Sequence, residues 1–420
     1  MARFRDIIRN RNFSLLWLGQ TISQFGDRLD QMALIALIYR FAPGSTTQIA
    51  KLMAFTILPV FLIGPIAGVY VDRWDRRRTM VVCDLLRGTL VLLIPLWLMK
   101  QASLWPIYAV VFLVFSIGRF YVPAKMSIIP ELVKVDDLLL ANSLVNTTGM
   151  VAAMFGLGLG GILVSMVGAE GGFVIDGISF LVSGLMIFFL STKAMRELKK
   201  ERLLKVGKEI AEVIRKSVAG EIRDALIFLK NHRQLRSCFG TLFLLWVALG
   251  SIYVVSIVFI QQVYASVTKD IGLFAVALGI GLFLGSLLYG RFGNRASGLK
   301  TVFACILGGG VALSSFVFVV LNISHLFAGL AVACVLGLAI SPIMVVANTL
   351  VQELTDNSMR GKVFSSLEVV VHLAFLLAML VSAPLADRIG PSRILLFISF
   401  LLVAIGMIGT VKAHGQVRRA

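Results

Sequence analysis

The chain has 420 residues, of which 58% are hydrophobic and 15% charged, with a mean hydropathy of +0.91. Such values exclude a soluble globular protein and place the chain in a bilayer. The formal net charge of +18 does not point to nucleic acid as a partner, because the basic residues are spread over many turns that face anionic membrane lipid.

Charge-poor stretches near 13–41, 49–71, 79–99, 103–122, 139–166, 172–191, 237–262, 270–290, 301–321, 325–350, 364–386 and 392–411 predict twelve helices, each long enough to cross a bilayer at about 1.5 Å rise per residue. Alternating segments of the β-barrel kind are absent. The N-terminus, the C-terminus and the turns after even-numbered helices carry 31 of the 40 lysines and arginines, whereas the opposite loops hold Arg40, Lys100, Lys269, Arg388 and Arg393. That asymmetry puts both termini in the cytoplasm of a multi-pass cell-membrane protein. The polar stretch Met1–Asn12 is not expected to act as a cleavable signal. Four cysteines without paired spacing read as packing residues, and no metal or cofactor site is expected.

Helix 1 carries three ionisable residues, which are costly in lipid and are kept mainly for function. Asp27 and Asp30 share a face and Arg28 is turned about 100° away, free to pair across the bundle. About 14 residues, or roughly 21 Å, separate Asp27 from Phe13, which places it near the midplane, where a proton-coupling group works. A structural Asp–Arg pair is the competing reading.

Helix 2 ends in GVYVDRWDRRR, Gly68 to Arg78, a tight basic turn. Asp84 and Arg87, one turn into helix 3, are expected to partner that turn. Arg119 falls near the inner end of helix 4, where it either meets lipid phosphate or binds an acidic substrate. Helix 5 is rich in glycine, with Gly149, Gly156, Gly160 and Gly161, a pattern that serves close helix packing as readily as a specific function. Asp176 is expected near the outer end of helix 6, capping or pairing there.

Thr192 to Arg236 is the one long polar segment, with 13 basic and 6 acidic residues. Apolar residues from Ile210 to Leu229 recur at spacings of three and four, which predicts an amphipathic surface helix or a solvated tether. The segment separates an N-terminal six-helix bundle (1–191) from a C-terminal one (237–420). The halves echo each other: GSLLYGRFGNR after helix 8 is a decayed copy of the turn after helix 2, and VQELTDNSMRGKVFSSL after helix 10 echoes IPELVKVDDLLLANSL after helix 4. On helix 11, Glu368 and His372 are four apart and face one way, with a gate reading for Glu368 and a relay or cavity reading for His372.

The pattern Gly68-x-x-x-Asp72-Arg73-x-x-Arg76-Arg77 resembles motif A of the major facilitator superfamily, with Asp75 where the family has its second glycine. The resemblance implies two pseudo-symmetric six-helix bundles, all-α and membrane-embedded, and a cytoplasmic latch in which Asp72 meets the start of helix 11 near Gly361 to Ser365, with Asp84, Arg87 and Glu368 beside it. The glycines of helix 5 are similar to the antiporter motif of drug exporters, with Leu157 where the family has proline. The segments YVPAKMSIIPELV and FVIDGISFLVS resemble the macrolide and siderophore exporter branch, while SQFGD and the PAK segment look like lysophospholipid transporters.

No Walker A sequence, metal-ligand cluster or nucleophile elbow is present, so the expected activity is not enzymatic. The expectation is a monomeric secondary transporter exporting amphiphilic or lipophilic small molecules in exchange for protons. A lysophospholipid transporter and a non-transporting membrane sensor are the alternatives.

Overall fold

The computed structural model describes residues 4–71, 74–98, 103–191, 233–293, 298–323, 325–353 and 360–417. Among them every regular element is helical, as backbone groups in hydrocarbon require. The chain forms two compact units, Met1–Pro43 with Lys51–Gly220, and Gly44–Ala50 with Glu221–Ala420. The expected amphipathic helix falls on residues 192–232, outside the described residues.

In the first unit, α1 (Phe4–Arg9) is a short lead-in and α2 (Arg11–Phe41) the first span. Asn10 starts α2: its Oδ1 accepts from the amides of Asn12 and Phe13 at 3.1 and 3.3 Å, supplying partners for otherwise orphaned helix-start donors. The expected second span is two helices, α3 (Thr46–Leu62) and α4 (Gly64–Val71). Pro65 has no amide proton with which to continue the ladder, so the helix stops at Leu62 and restarts at Gly64.

Next come α5 (Arg76–Leu98), α6 (Trp105–Leu132), a 3₁₀ turn (Val135–Asp137) and the 51-residue α7 (Leu138–Phe188). Gly168, with φ 78° and ψ 174°, breaks α7 into two spans. That positive φ is one which a side chain would strain. α2 packs along α7, α5 against α6 and α7, and α4 against α6.

The second unit contains α8 (Arg233–Tyr264), α9 (Lys269–Phe292), α10 (Gly298–Asn322), α11 (Leu326–Glu353), α12 (Arg360–Ile389) and α13 (Pro391–Val417). Its pairings repeat those of the first unit: α8 with α12 as α2 with the first arm of α7, α10 with α13 as α5 with the second arm, and α9 with α11 as α4 with α6. The stretch Gly44–Ala50 is tied in by Asp387 of α12, whose carboxylate accepts from the amides of Thr46 and Thr47 at 2.6 and 3.0 Å and from Ser45 Oγ at 3.2 Å. A carboxylate at a helix start is favoured by the exposed amides there.

Nine helices among the described residues are long and apolar enough to cross a membrane, one of them Val135–Phe188. Dividing that one at Gly168, and adding α2 and the α3–α4 pair, gives twelve spans. Large apolar residues such as Phe283, Phe397 and Phe400 point outward, as expected where the surroundings are lipid rather than water.

Candidate functional site

Asp27 is the seventeenth of the 31 residues of α2, about 24 Å from its start. It is exposed, and it opens onto two cavities of about 300 and 190 Å³ in the first unit. The larger is also lined by Gln20, Gln24, Tyr121, Lys125 and Asn146, the smaller by Asp30, Gln31, Arg119 and Asp176; Asp27, Arg28 and Arg87 line both.

The fixed cation of this site is Arg87. Its Nη2 donates to Asp84 Oδ1, and Ser183 Oγ holds the other carboxylate oxygen at 2.8 Å. The guanidinium lies over Phe180 at 4.2 Å and Tyr121 at 4.6 Å from the ring centroids, a stacking that suits a planar, weakly hydrated cation. Asp84 is fully buried and Arg87 is 7% exposed. Their charges therefore stay paired away from lipid.

Asp84 and Arg87, expected beside the basic turn, are in fact paired to each other at the middle of the bundle. The reason is that α5 begins at Arg76, so Arg87 lies eleven residues, about 16 Å, inside it. Arg119 moves for the same reason: α6 continues through Pro123 and Pro130 to Leu132, so this residue is mid-helix rather than near an end. Asp176, expected at the outer end, is eight residues past Gly168, about 12 Å deep. It is 1% exposed, accepts from Ser179 Oγ at 3.2 Å, and interacts electrostatically with Asp27 and Asp30.

Arg28 is a further departure. It donates to Gln31 Oε1 at 3.0 Å rather than to either aspartate of its helix. Asp27 instead lies within the fields of Arg87, Arg28 and Lys125 together. Asp30 is 7% exposed and its Oδ1 has no hydrogen-bond partner, which makes it the acid whose buried charge is least compensated. Sequence reasoning missed Lys125, Tyr121 and Ser183 as members of this cluster. Asp176, Ser179 and Ser183, at i, i+3 and i+7 on an apolar helix, were the available signal.

The helix 5 glycines seat α2. A Cβ on Gly156 would come 2.9 Å from Arg28 Cγ, one on Gly160 3.2 Å from the Arg28 carbonyl and one on Gly149 3.3 Å from Gln24 Oε1, while Gly161 is buried on the same arm. The bare backbone of α7 thus lets the charged stretch of α2 lie against it.

Asp72 and Arg73 lie outside the described residues, and Gly68 is part of α4. The other motif arginines bind helix ends within the first unit. Arg76 pairs with Glu131 and donates to the Ser127 carbonyl at 3.1 Å; Arg77 donates to the Phe188 carbonyl at the end of α7 and lies over the Phe188 ring. Asp75 caps α5, its Oδ1 accepting from the Arg78 amide at 2.7 Å. A glycine offers no such acceptor.

Glu368 is exposed on α12 of the second unit. His372 bonds through Nδ1 to the Glu368 carbonyl at 2.8 Å and stacks on Trp246, with ring centroids 6.2 Å apart. His372 therefore meets Glu368 through that residue's backbone carbonyl.

Residues 16–379 match the family model described as Major Facilitator Superfamily. Macrolide efflux protein A of Streptococcus pyogenes is 24% identical over 94% of this chain and 94% of its own length. The multidrug efflux pump Tap of Mycolicibacterium fortuitum is 25% identical over 84% of this chain and 83% of its own. Among solved structures, a bacterial homologue of the iron transporter ferroportin in its inward-facing state superimposes with a TM-score of 0.71 at 15% identity, covering 97% of this chain and 100% of that one. At that identity the likeness speaks for the fold.

Proposed function

With the chain a member of the major facilitator superfamily of transporters, we propose that it is a proton-coupled exporter of amphiphilic or lipophilic small molecules in the cell membrane. It works by alternating access as a monomer, with both termini cytoplasmic. The observation that carries this reading is the group of three acids, Asp27, Asp30 and Asp176, at mid-span: all three line the smaller cavity, Asp27 lines the larger as well, and Asp30 holds a carboxyl oxygen without a donor. Charges at this depth are expensive to keep and suit a site that binds and releases protons. The relatedness to macrolide and multidrug efflux proteins supports the direction and the substrate class.

Motif A, with Asp72 and Arg73, is assigned to a cytoplasmic latch and Glu368 to the gate beside it, while His372 is a secondary candidate for proton transfer. The bundles 1–191 and 237–420 act as the rocking units and 192–236 as their tether. The deciding experiment is transport in proteoliposomes with and without a pH gradient, using a labelled drug panel and a labelled lysophospholipid. Acceleration of drug movement by the gradient is expected. Gradient-independent lysolipid transfer with no drug movement overturns the proposal in favour of a lysophospholipid transporter, a reading that the presence of Lys125, from the PAK segment, in the larger cavity favours. Absence of any transport would favour the sensor.

A further inference from the structure

The two cavities of the first unit share Asp27, Arg28, Arg87, Gly118 and Val122 and differ in their other charged residues. The larger adds one charged residue, Lys125; the smaller adds Asp30, Asp176 and Arg119. Arg87 is already neutralised by Asp84. Counting formal charges on that basis, the larger cavity has an excess of one positive charge and the smaller an excess of one negative charge. Together they are neutral, but they are polarised along the bundle. The positive end lies toward the end of α6 at Leu132, seven residues from Lys125, and the negative end toward Gly168 of α7.

Each end also holds a buried oxygen without a hydrogen-bond partner: Gln20 Oε1, on a residue 4% exposed, at the positive end, and Asp30 Oδ1, on a residue 7% exposed, at the negative end. Buried polar atoms are almost always satisfied, so atoms left open at the wall of a cavity are places for a ligand's own polar groups.

We propose that these cavities are the two ends of one binding site for a zwitterion, a molecule bearing an amine and an acidic oxygen group, either carboxylate or phosphate. The acidic group sits against Lys125 and Tyr121 and the ammonium against Asp30 and Asp176. A ligand with only a cation leaves the Lys125 end uncompensated, and one with only an anion leaves the Asp30 end so. This inference deepens the exporter reading and rests on it for the coupling sign. An ammonium at Asp30 and a proton at Asp30 exclude each other, which is the competition that exchange requires.

The test is equilibrium binding to the full chain in nanodiscs, with lysophosphatidylethanolamine, dodecylamine, dodecyl phosphate and free phosphoethanolamine as probes. The zwitterionic lipid is expected to bind about tenfold or more tighter than either singly charged chain. Lys125→Gln should weaken the zwitterion and dodecyl phosphate by about tenfold and spare dodecylamine, with Lys125→Arg restoring both; Asp30→Asn should weaken the zwitterion and dodecylamine and spare dodecyl phosphate. Because each expected loss is selective for one charge, it cannot come from misfolding. Tight binding of free phosphoethanolamine identifies a small soluble zwitterion as the ligand, and its weak binding identifies a lipid headgroup. Equal affinity for dodecylamine and the zwitterion, or a Lys125→Gln variant that binds all four probes normally, overturns the proposal. In that event gradient-driven drug transport can still hold, whereas selective zwitterion binding without any gradient effect would sink the exporter reading and leave the site.

Discussion

The guanidinium carbon of Arg87 sits 4.2 Å over the ring centroid of Phe180, so the cation that faces Asp27 across the cavities is held by α7 as well as by its own helix. Its charge is balanced by Asp84, which lines neither cavity. Removing Asp84 therefore isolates a buried charge, which typically costs about 3–5 kcal/mol, whereas replacing both partners with apolar groups is often nearly neutral. Asp84→Ala should lower thermal stability sharply in detergent, and Asp84→Ala with Arg87→Met should recover most of that loss. Transport should stay low in both. Thermal-shift and transport measurements on the same preparations check this, and a double variant as unstable as the single one refutes it.

Gly156 and Gly160 let α2 rest on α7 at Arg28. A Cβ on Gly156 meets the first carbons of Arg28, while one on Gly160 meets backbone, which has less room to give. Gly160→Val should therefore impair folding and transport more than Gly156→Val, with overpacking costs of about 1–3 kcal/mol. Gly149→Ala, facing the end of the Gln24 side chain, should keep transport near the parent level. Equal tolerance of valine at 156 and 160 would show that the approach of the two helices is not needed.

Asp75 occupies the position of a glycine in the family motif and caps α5 through the Arg78 amide. Asp75→Ala should cost about 1 kcal/mol and Asp75→Gly only a few tenths, the usual difference between these residues at a helix start. Chemical unfolding of the reconstituted protein measures both. Two variants of equal stability would mean that the cap contributes nothing.

Much of the fold is legible in the sequence because twelve apolar runs separated by basic turns leave few alternatives. What the sequence hides is depth. α5 starts three residues earlier than the apolar run suggests, because Asp75 can cap it among arginines, and Arg87 thereby moves to mid-span. α6 runs ten residues beyond its expected end through two prolines, and Arg119 and Lys125 move inward with it. Asp176 is misplaced because the turn between helices 5 and 6 is a single glycine, Gly168, so the helix begins sooner than a loop of ordinary length would allow. Four charged groups that the sequence suggests for helix ends, Asp84, Arg87, Arg119 and Asp176, therefore lie deeper, in one cluster. The Asp27 and Asp30 spacing was readable; the partner of Arg28 was not, since nothing in the sequence distinguishes Gln31 from an acid across the bundle.

The last prediction concerns which acid of α2 carries the proton. Asp27 is exposed to both cavities and lies within the fields of three cations, so its negative charge is the better compensated. Asp30 is buried, with one oxygen lacking a donor and with Asp27 and Asp176 as its acidic neighbours. The uncompensated group is the one whose charge costs most, and protonation removes that cost. Asp30→Asn should therefore fix the neutral form, keep substrate binding within a few-fold for ligands without an amine, and abolish acceleration of transport by a pH gradient. Asp27→Asn should weaken binding and reduce transport about tenfold or more, while the remaining flux still responds to the gradient, because Arg87 and Lys125 lose the charge they face. Transport by each variant at a series of pH gradients, compared with binding at a single pH, separates the two roles. If Asp30→Asn retains a full gradient response and Asp27→Asn loses it, the roles are reversed. If both retain it, the acids are structural, and His372 becomes the residue to test next.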